Sequence, residues 1–561
     1  MIKRLSFLLV ILSSLFLYAS CSSSDAEEGT VIYNVSGYTL AGNELHRFEA
    51  IAFRGDVVLE TGTSSDITQL YETFEQIDGE GLTLLPGLID AHAHVMGLGF
   101  QEMDVDVSGL RSLDETLEKI AEHADANPDL EWIRGRGWNQ ELWEDNEFPT
   151  ASDIDEVVSD RPVWLTRVDG HAGWGNTRAM ELSGISRETP DVQGGRVIRD
   201  TRGDATGVFI DATMRYISEN IPDRTEEDYR QALTQALETM AEHGITSVHD
   251  ARTDSFTWDL YKEFADSGTL KTRIYAMVAG MGNEFDILSE NGPIEQYADH
   301  KLSLRSVKIS SDGALGSRGA AMLEEYSDEP ENTGLLFYDQ DEMNEMLLRG
   351  AENGYQMNIH AIGDAANRQV LDGFQYVNEQ LGDQADMRHR IEHAQVVAPE
   401  DIPRFVDLEL VASMQPTHAT SDMNMAEDRV GSHRIEGAYA WQTFLNQGTV
   451  IAGGSDFPVE NVNPFYGLYS AVTRKDHEGM PPGGWYSEQA LSRIEALQIF
   501  TIDAAFAAHQ EDVIGSLEEG KKADFILVDR DFFEVDASEI WQTEVIQTWM
   551  AGERVFERDR Q

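Results

Sequence analysis

The sequence predicts an α/β protein: a closed (β/α)8 barrel, a small β-sandwich domain formed by both chain ends, and a subdomain inserted at the barrel mouth. Three observations predict it. Apolar strand-like runs alternate with amphipathic helical stretches through the middle of the chain. Short β-like runs recur near both ends. One connection is far longer than a βα crossover needs. The 561 residues leave room for about three to five structural units.

Residues 1–20 read as a targeting segment. Lys3 and Arg4 precede an apolar run over 5–18, which is too short for a typical membrane span and is laid out as a signal peptide. Ala19 and Ser20 lead to Cys21, the only cysteine. The pattern resembles a bacterial lipoprotein signal, in which Cys21 is lipidated and becomes the first mature residue. The alternative is a plain secretory signal with Cys21 incidental. Residues 21–29 are small and polar and read as a tether. The expected location is the cell envelope: periplasmic, or held to the membrane only through a lipid on Cys21.

Residues 30–83 hold β-like runs at 30–35, 48–53 and 57–60, with Gly55-Asp56 as a turn signal. Residues 510–561 repeat the style at 524–528 and 545–550. Neither piece buries a good sheet alone, so the two are expected to pair. Within 84–509, eight apolar runs stand at 84–91, 245–249, 273–278, 304–310, 357–360, 389–393, 410–415 and 449–455. Helical stretches such as 227–243 and 341–353 separate them. This is the pattern of βα units around parallel strands. The stretch from about 100 to 240 carries its own strand, 163–168, and its own helices. Trp132, Trp138 and Trp143 cluster there; they could wall an apolar pocket, and packing of the subdomain is the simpler assignment.

Barrel active sites lie at the C-terminal ends of strands. The first run ends in His92-Ala-His94, and a spacing of two puts both imidazoles on one face of a strand. Two imidazoles at a barrel mouth form a pincer for a divalent metal. Other strand ends supply matching groups: His360, His393 and Asp456. In the fourth run Val307 and Ile309 alternate against Lys308, which turns the lysine inward. A buried lysine is costly unless paired, neutral or modified. One resolution is addition of CO2 to the neutral amine, giving a carbamate whose two oxygens can bridge two cations.

These pieces resemble the amidohydrolase superfamily, specifically amidohydrolase family 3 and its N-substituted formamide deformylase branch. The resemblance is carried by 85–94 (LPGLIDAHAH), 307–319 (VKISSDGALGSRG), 359–365 (IHAIGDA), 390–395 (RIEHAQ), 454–459 (GSDFPV) and 515–525 (GSLEEGKKADF). It implies a TIM-barrel, metal-dependent hydrolase with one or two divalent ions, zinc being the expected metal. His92, His94 and Asp456 would hold one ion, His360 and His393 the other, with Lys308 as carbamate between them. Asp456 would act as general base and then general acid in hydrolysis of a small amide or formamide C–N bond. The alternatives are esters, lactones or cyclic ureides at the same centre, or an inactive ligand-binding surface lipoprotein. His171, in Val168-Asp-Gly-His171, is a candidate hydrogen-bond donor to the substrate carbonyl, with catalytic and binding roles. His249, Arg318 and His418 are candidate substrate-binding residues, and Asp250 a helix-start cap beside His249.

The charge narrows the partners. There are 42 Lys+Arg against 101 Asp+Glu, a net charge of −59. Nucleic acid and anionic lipid would be repelled, which leaves a small-molecule substrate. An exposed β domain is compatible with a homodimer. A single cysteine excludes an internal disulfide framework and any Cys-based zinc or iron–sulfur site. With only nine lysines among the cations, the acid surplus reads as a halophilic-type surface, where salt screens self-repulsion. The unfolding midpoint is therefore expected to rise between low and molar salt. A flat or falling midpoint in a salt series would refute this reading.

Overall fold

The computed structural model describes residues 29–559 apart from 43, 145, 168, 169, 171, 193 and 194. Cys21 and His171 lie outside the described residues. Eight parallel strands form the barrel: β1 (Leu88–Ala93), β2 (Ile245–Thr253), β3 (Arg273–Ala279), β4 (Leu302–Ser310), β5 (Gln356–Ala361), β6 (Arg390–His393), β7 (Val411–Met414) and β8 (Ile451–Gly453). Their ladders run unbroken from β1 to β8. The last gap is bridged at the rim, where Asp456 N–H donates to the His92 carbonyl (2.7 Å) and His94 N–H to the Phe457 carbonyl (2.9 Å). Glycine is needed beside this seam. A Cβ on Gly454 would lie 2.7 Å from the His92 nitrogen, closer than packed atoms approach.

Strand alternation explains the two barrel layers. On β4, Val307 and Ile309 join the apolar layer under the helices, with Leu233, Ile274, Met357 and Phe374. Ser306 and Lys308 take the opposite face and are equally buried. The helices begin where the sequence offers caps. Thr225 and Asp228 make a capping box before Glu226–Glu242, and Asp339 and Glu342 another before Gln340–Glu352.

The first apolar run is two strands, not one. Thr83–Pro86 pairs with Phe525–Val528 in the end sheet, while Leu88–Ala93 enters the barrel. Pro86 has no N–H to continue a ladder, and the Gly87 N–H turns to the Asp524 carbonyl. Strands from both chain ends share one continuous eight-stranded sheet. Gly29–Ala41 is its hub. A register shift between Tyr33 and Gly37 lets one edge pair with Glu75–Asp78 and then with Thr83–Pro86.

The inserted stretch is richer in strands than its sequence signals. It forms a six-stranded sheet that includes Val105–Asp106, Ile133–Trp138, Val163–Arg167 and Ala205–Asp211. Helix Glu226–Glu242 belongs to the barrel, so the insertion ends earlier than about 240. A Cβ on Gly99 would sit 2.1 Å from the Ala232 carbonyl oxygen, which shows how closely Val95–Met103 lies on that helix. Trp138 and Trp143 meet Trp174 edge-on at 6.1 and 6.4 Å inside the inserted subdomain. Trp132 packs in a neighbouring cluster with Trp164 and Phe209. All three are buried in the packing of the inserted subdomain.

His389, just before β6, stacks on Phe374 at 5.0 Å, and its Nδ1 accepts the Met357 N–H at 3.0 Å. Burial pulls its pKa from 6.5 down to about 3. A lowered folded value means that its contribution is complete above pH 6.5 and is lost as pH falls toward 3. Between those limits it adds a slope of about 1.4 kcal/mol per pH unit. His389→Asn is expected to flatten the stability–pH curve by that amount between pH 6 and 4. Urea titrations at fixed ionic strength would show it, and an unchanged slope would contradict it.

Candidate metal centre

The site is assembled at the C-terminal ends of the strands. His92 ends β1 with no solvent exposure, and its Nδ1 lies 2.5 Å from Glu392 Oε2. A carboxylate can only accept, so Nδ1 carries the hydrogen and the Nε2 lone pair is free. That Nε2 lies 3.2 Å from Lys308 Nζ and 3.5 Å from Asp456 Oδ1. His393 repeats the logic: its Nδ1–H donates to Gln415 Oε1 at 2.8 Å, again leaving Nε2 free. His94 Nε2 approaches Asp456 Oδ1 at 3.1 Å. The His360 ring lies 4.5 Å from that of His393, with its Nε2 3.4 Å from Asp312 Oδ1. Asp312 is itself fixed by the N–H groups of Ala321, Ile362 and Gly363.

Two candidate ligands sit on unusual backbone. His393 has φ 72° and Asp456 φ 64°, a region that few non-glycine residues adopt. The cause is geometric. Glu392 and His393 are consecutive, so a regular strand would point only one of them inward. The turn at His393 brings both inside. Asp90 anchors the β8 end by accepting from the Ser455 hydroxyl (2.6 Å), the Ser455 N–H (3.1 Å) and the His92 N–H (3.1 Å). Strain held in place by such contacts is typical of functional sites.

Beneath the ligands lies a buried charged layer. Arg390 and Glu392 are wholly buried, with Nε 2.8 Å from Oε1. Arg390 also donates to the Ala91 carbonyl (2.5 Å) and Ser413 Oγ (3.0 Å). Burial alone would raise the Glu392 pKa, but Arg390 and His92 reverse this and hold it below the usual carboxylate range. Burial, then the charge of Lys308, lowers His92 to about 4. Burial brings Lys308 down to about 8 against the pull of Glu392 and Asp456. Asp456 resists burial because His418 and His94 stabilise its anion, and its pKa is well below normal.

The other sequence candidates fall differently. His418 is brought to the centre, with Nε2 3.4 Å from Asp456 Oδ2 and Nδ1 3.1 Å from Glu460 Oε1. Burial opposes its charge, yet these two carboxylates push it up to about 10, so it is a cation at neutral pH. His249, expected against substrate, is wholly buried, with its Nδ1 3.0 Å from Arg390 Nη1. Arg318, also expected against substrate, turns its guanidinium to Asp328 at 2.8 Å. Asp250 caps Val95–Met103 through the Val95 N–H (2.9 Å), while Asp254 caps the helix after β2. The sequence reading missed Arg390, Glu392, Asp312, Gln415 and Glu460. Only Arg390 and Glu392 left a signal, as polar residues flanking Ile391 in an apolar strand.

These residues fit a divalent cation. His92, His393 and Asp456 offer ligand atoms within 4.8 Å of one another. His360 Nε2 is buried and makes no hydrogen bond, as an atom that awaits a ligand would. The donor set, imidazole with carboxylate, suits zinc and similar ions.

Comparison with known proteins agrees. The profile of the amidohydrolase family matches residues 75–556. The protein LONG AFTER FAR-RED 3 of Arabidopsis thaliana is 32% identical over 525 residues, covering 91% of this chain and 88% of that one. N-substituted formamide deformylase of Arthrobacter pascens is 28% identical over 526 residues, covering 91% and 95%. The crystal structure of an uncharacterized metal-dependent hydrolase from Pyrococcus furiosus superposes with a TM-score of 0.73 at 27% identity, covering 90% and 100%. The expected family and barrel are both borne out: the chain belongs to the amidohydrolase family and is a metal-dependent hydrolase on a TIM-barrel fold.

Proposed function

We propose that this hydrolase cleaves the C–N bond of a small amide or formamide, with Asp456 moving the proton. The observation that supports this is the two-sided setting of the Asp456 carboxylate. Oδ1 faces His92 and His94, while Oδ2 faces the His418 cation. Divalent cations, zinc by our reading, held by His92, His94 and Asp456 and by His360 and His393 would polarise the substrate carbonyl and ease loss of a proton from water. Asp456 is kept as the anion, so it can take that proton and return it to the leaving nitrogen. His418 donates to Oδ2 and holds the carboxylate in place. A panel of N-acyl, formamide, cyclic ureide and ester substrates against the zinc-loaded protein tests the reading. Turnover confined to esters or ureides would replace it.

Lys308 is assigned the bridging role. Its amine lies among His92, Glu392 and Asp456, and burial makes the neutral form accessible near pH 8. Addition of CO2 forms one N–C bond and releases one amine proton, leaving an anionic carbamate. Lys308→Ala is expected to reduce bound zinc from two ions per chain to one or fewer, with activity lower by at least about 100-fold. Metal analysis and a 13C-carbamate NMR signal after 13C-bicarbonate exchange check this. Full metal content in the variant would remove the bridge.

A further inference from the structure

Arg252 stands near the C-terminal end of β2, on the rim that carries the metal centre. The ladder with β3 slips there: Ala251 pairs with Met277 and Thr253 with Val278, which leaves Arg252 without a partner residue. It is a bulge residue with φ 105°, costly backbone for a long side chain. Ala251 and Thr253 are buried, whereas Arg252 is exposed. Bulges beside active sites re-aim a side chain, and here the chain that is re-aimed is a cation.

Its guanidinium makes no hydrogen bond or ion pair with any described residue. That is notable in a chain with 101 acidic residues, where Arg318 and Arg390 both have carboxylates. Asp250, two residues before Arg252, pairs with Ala93, between His92 and His94, so the bulge lies beside the strand end that bears two candidate ligands. A solvent-facing cation thus stands on the rim that carries the cage, on backbone that a merely solvated arginine does not require. An overall charge of −59 repels anions, so an anionic substrate needs a local cation to receive it. The planar guanidinium matches a carboxylate through paired N–H donors.

We propose that Arg252 receives a substrate carboxylate, so that the amide cleaved here is an N-acylated amino acid or another amide with a carboxylate near the scissile bond. The proposal rests on the reading of this centre as an amide hydrolase and narrows it to a substrate class.

The test uses zinc-loaded full-length protein with N-formylphenylalanine and its decarboxylated counterpart, N-formyl-2-phenylethylamine. The wild type is expected to favour the carboxylate by about 10- to 100-fold in kcat/KM. In Arg252→Gln that ratio falls to near one, chiefly through KM, and Arg252→Lys keeps an intermediate ratio. A wild-type ratio of one or less, or an unchanged ratio in Arg252→Gln, overturns the proposal. If the wild type cleaves neither compound, the amide reading falls, and calorimetry decides the question of Arg252 separately. N-formylphenylalanine binding at least about 10-fold weaker in Arg252→Gln supports the carboxylate site, and equal binding overturns it.

Discussion

Replacing Asp456 by Asn is expected to yield a folded, metal-loaded protein whose kcat is lower by about 1,000-fold, within the range for loss of a general acid–base. Asparagine is the informative choice on backbone grounds. Asp456 sits at φ 64°, and Asn tolerates the left-handed region better than almost any other residue. The Asp456→Asn amide oxygen can still accept from His418, so the side chain keeps its place. What is lost is a basic oxygen able to take a proton. Zinc content and melting temperature should stay near wild type while single-turnover rates collapse. A metal-replete variant with near-normal kcat would remove Asp456 from proton transfer.

The second large effect is expected at Glu392, which is wholly buried. Glu392→Gln leaves Arg390 buried without its counter-charge, and breaking such a pair costs about 3–5 kcal/mol. It also weakens the hold on the His92 Nδ1–H, and loss of a partner of this kind lowers metal affinity by about 10- to 100-fold. The two effects can be separated. In the double variant Arg390→Met with Glu392→Leu, no unpaired charge remains, so part of the stability should return. Metal affinity should not return, because His92 still lacks its acceptor. Denaturant melts and competitive zinc titrations on the three proteins measure both. Wild-type zinc affinity in Glu392→Gln would show that His92 needs no orienting partner.

The pH prediction at His389 and the stoichiometry prediction at Lys308 have a common physical origin. Each concerns a titratable side chain placed where water cannot reach it. Alternation exposed Lys308 to sequence reasoning, because a charged residue between Val307 and Ile309 must take the barrel face. His389 gave no such sign. Its stacking on Phe374 depends on the distance between two elements, not on spacing along one.

The sequence by itself determined the repeating βα order, the helical stretches at 227–243 and 341–353, and the strand ends that bear His92, His94, Lys308, His360, His393 and Asp456. These are local matters: hydrophobic period and caps act within a few residues. Tertiary structure alone decided where the first apolar run divides at Pro86-Gly87, and that Glu392 and His393 both turn inward. It also decided that His249 meets Arg390 while His418 reaches Asp456. Each of these outcomes depends on backbone leaving its regular period, or on atoms distant in sequence sharing one buried volume, and periodicity carries no information about either.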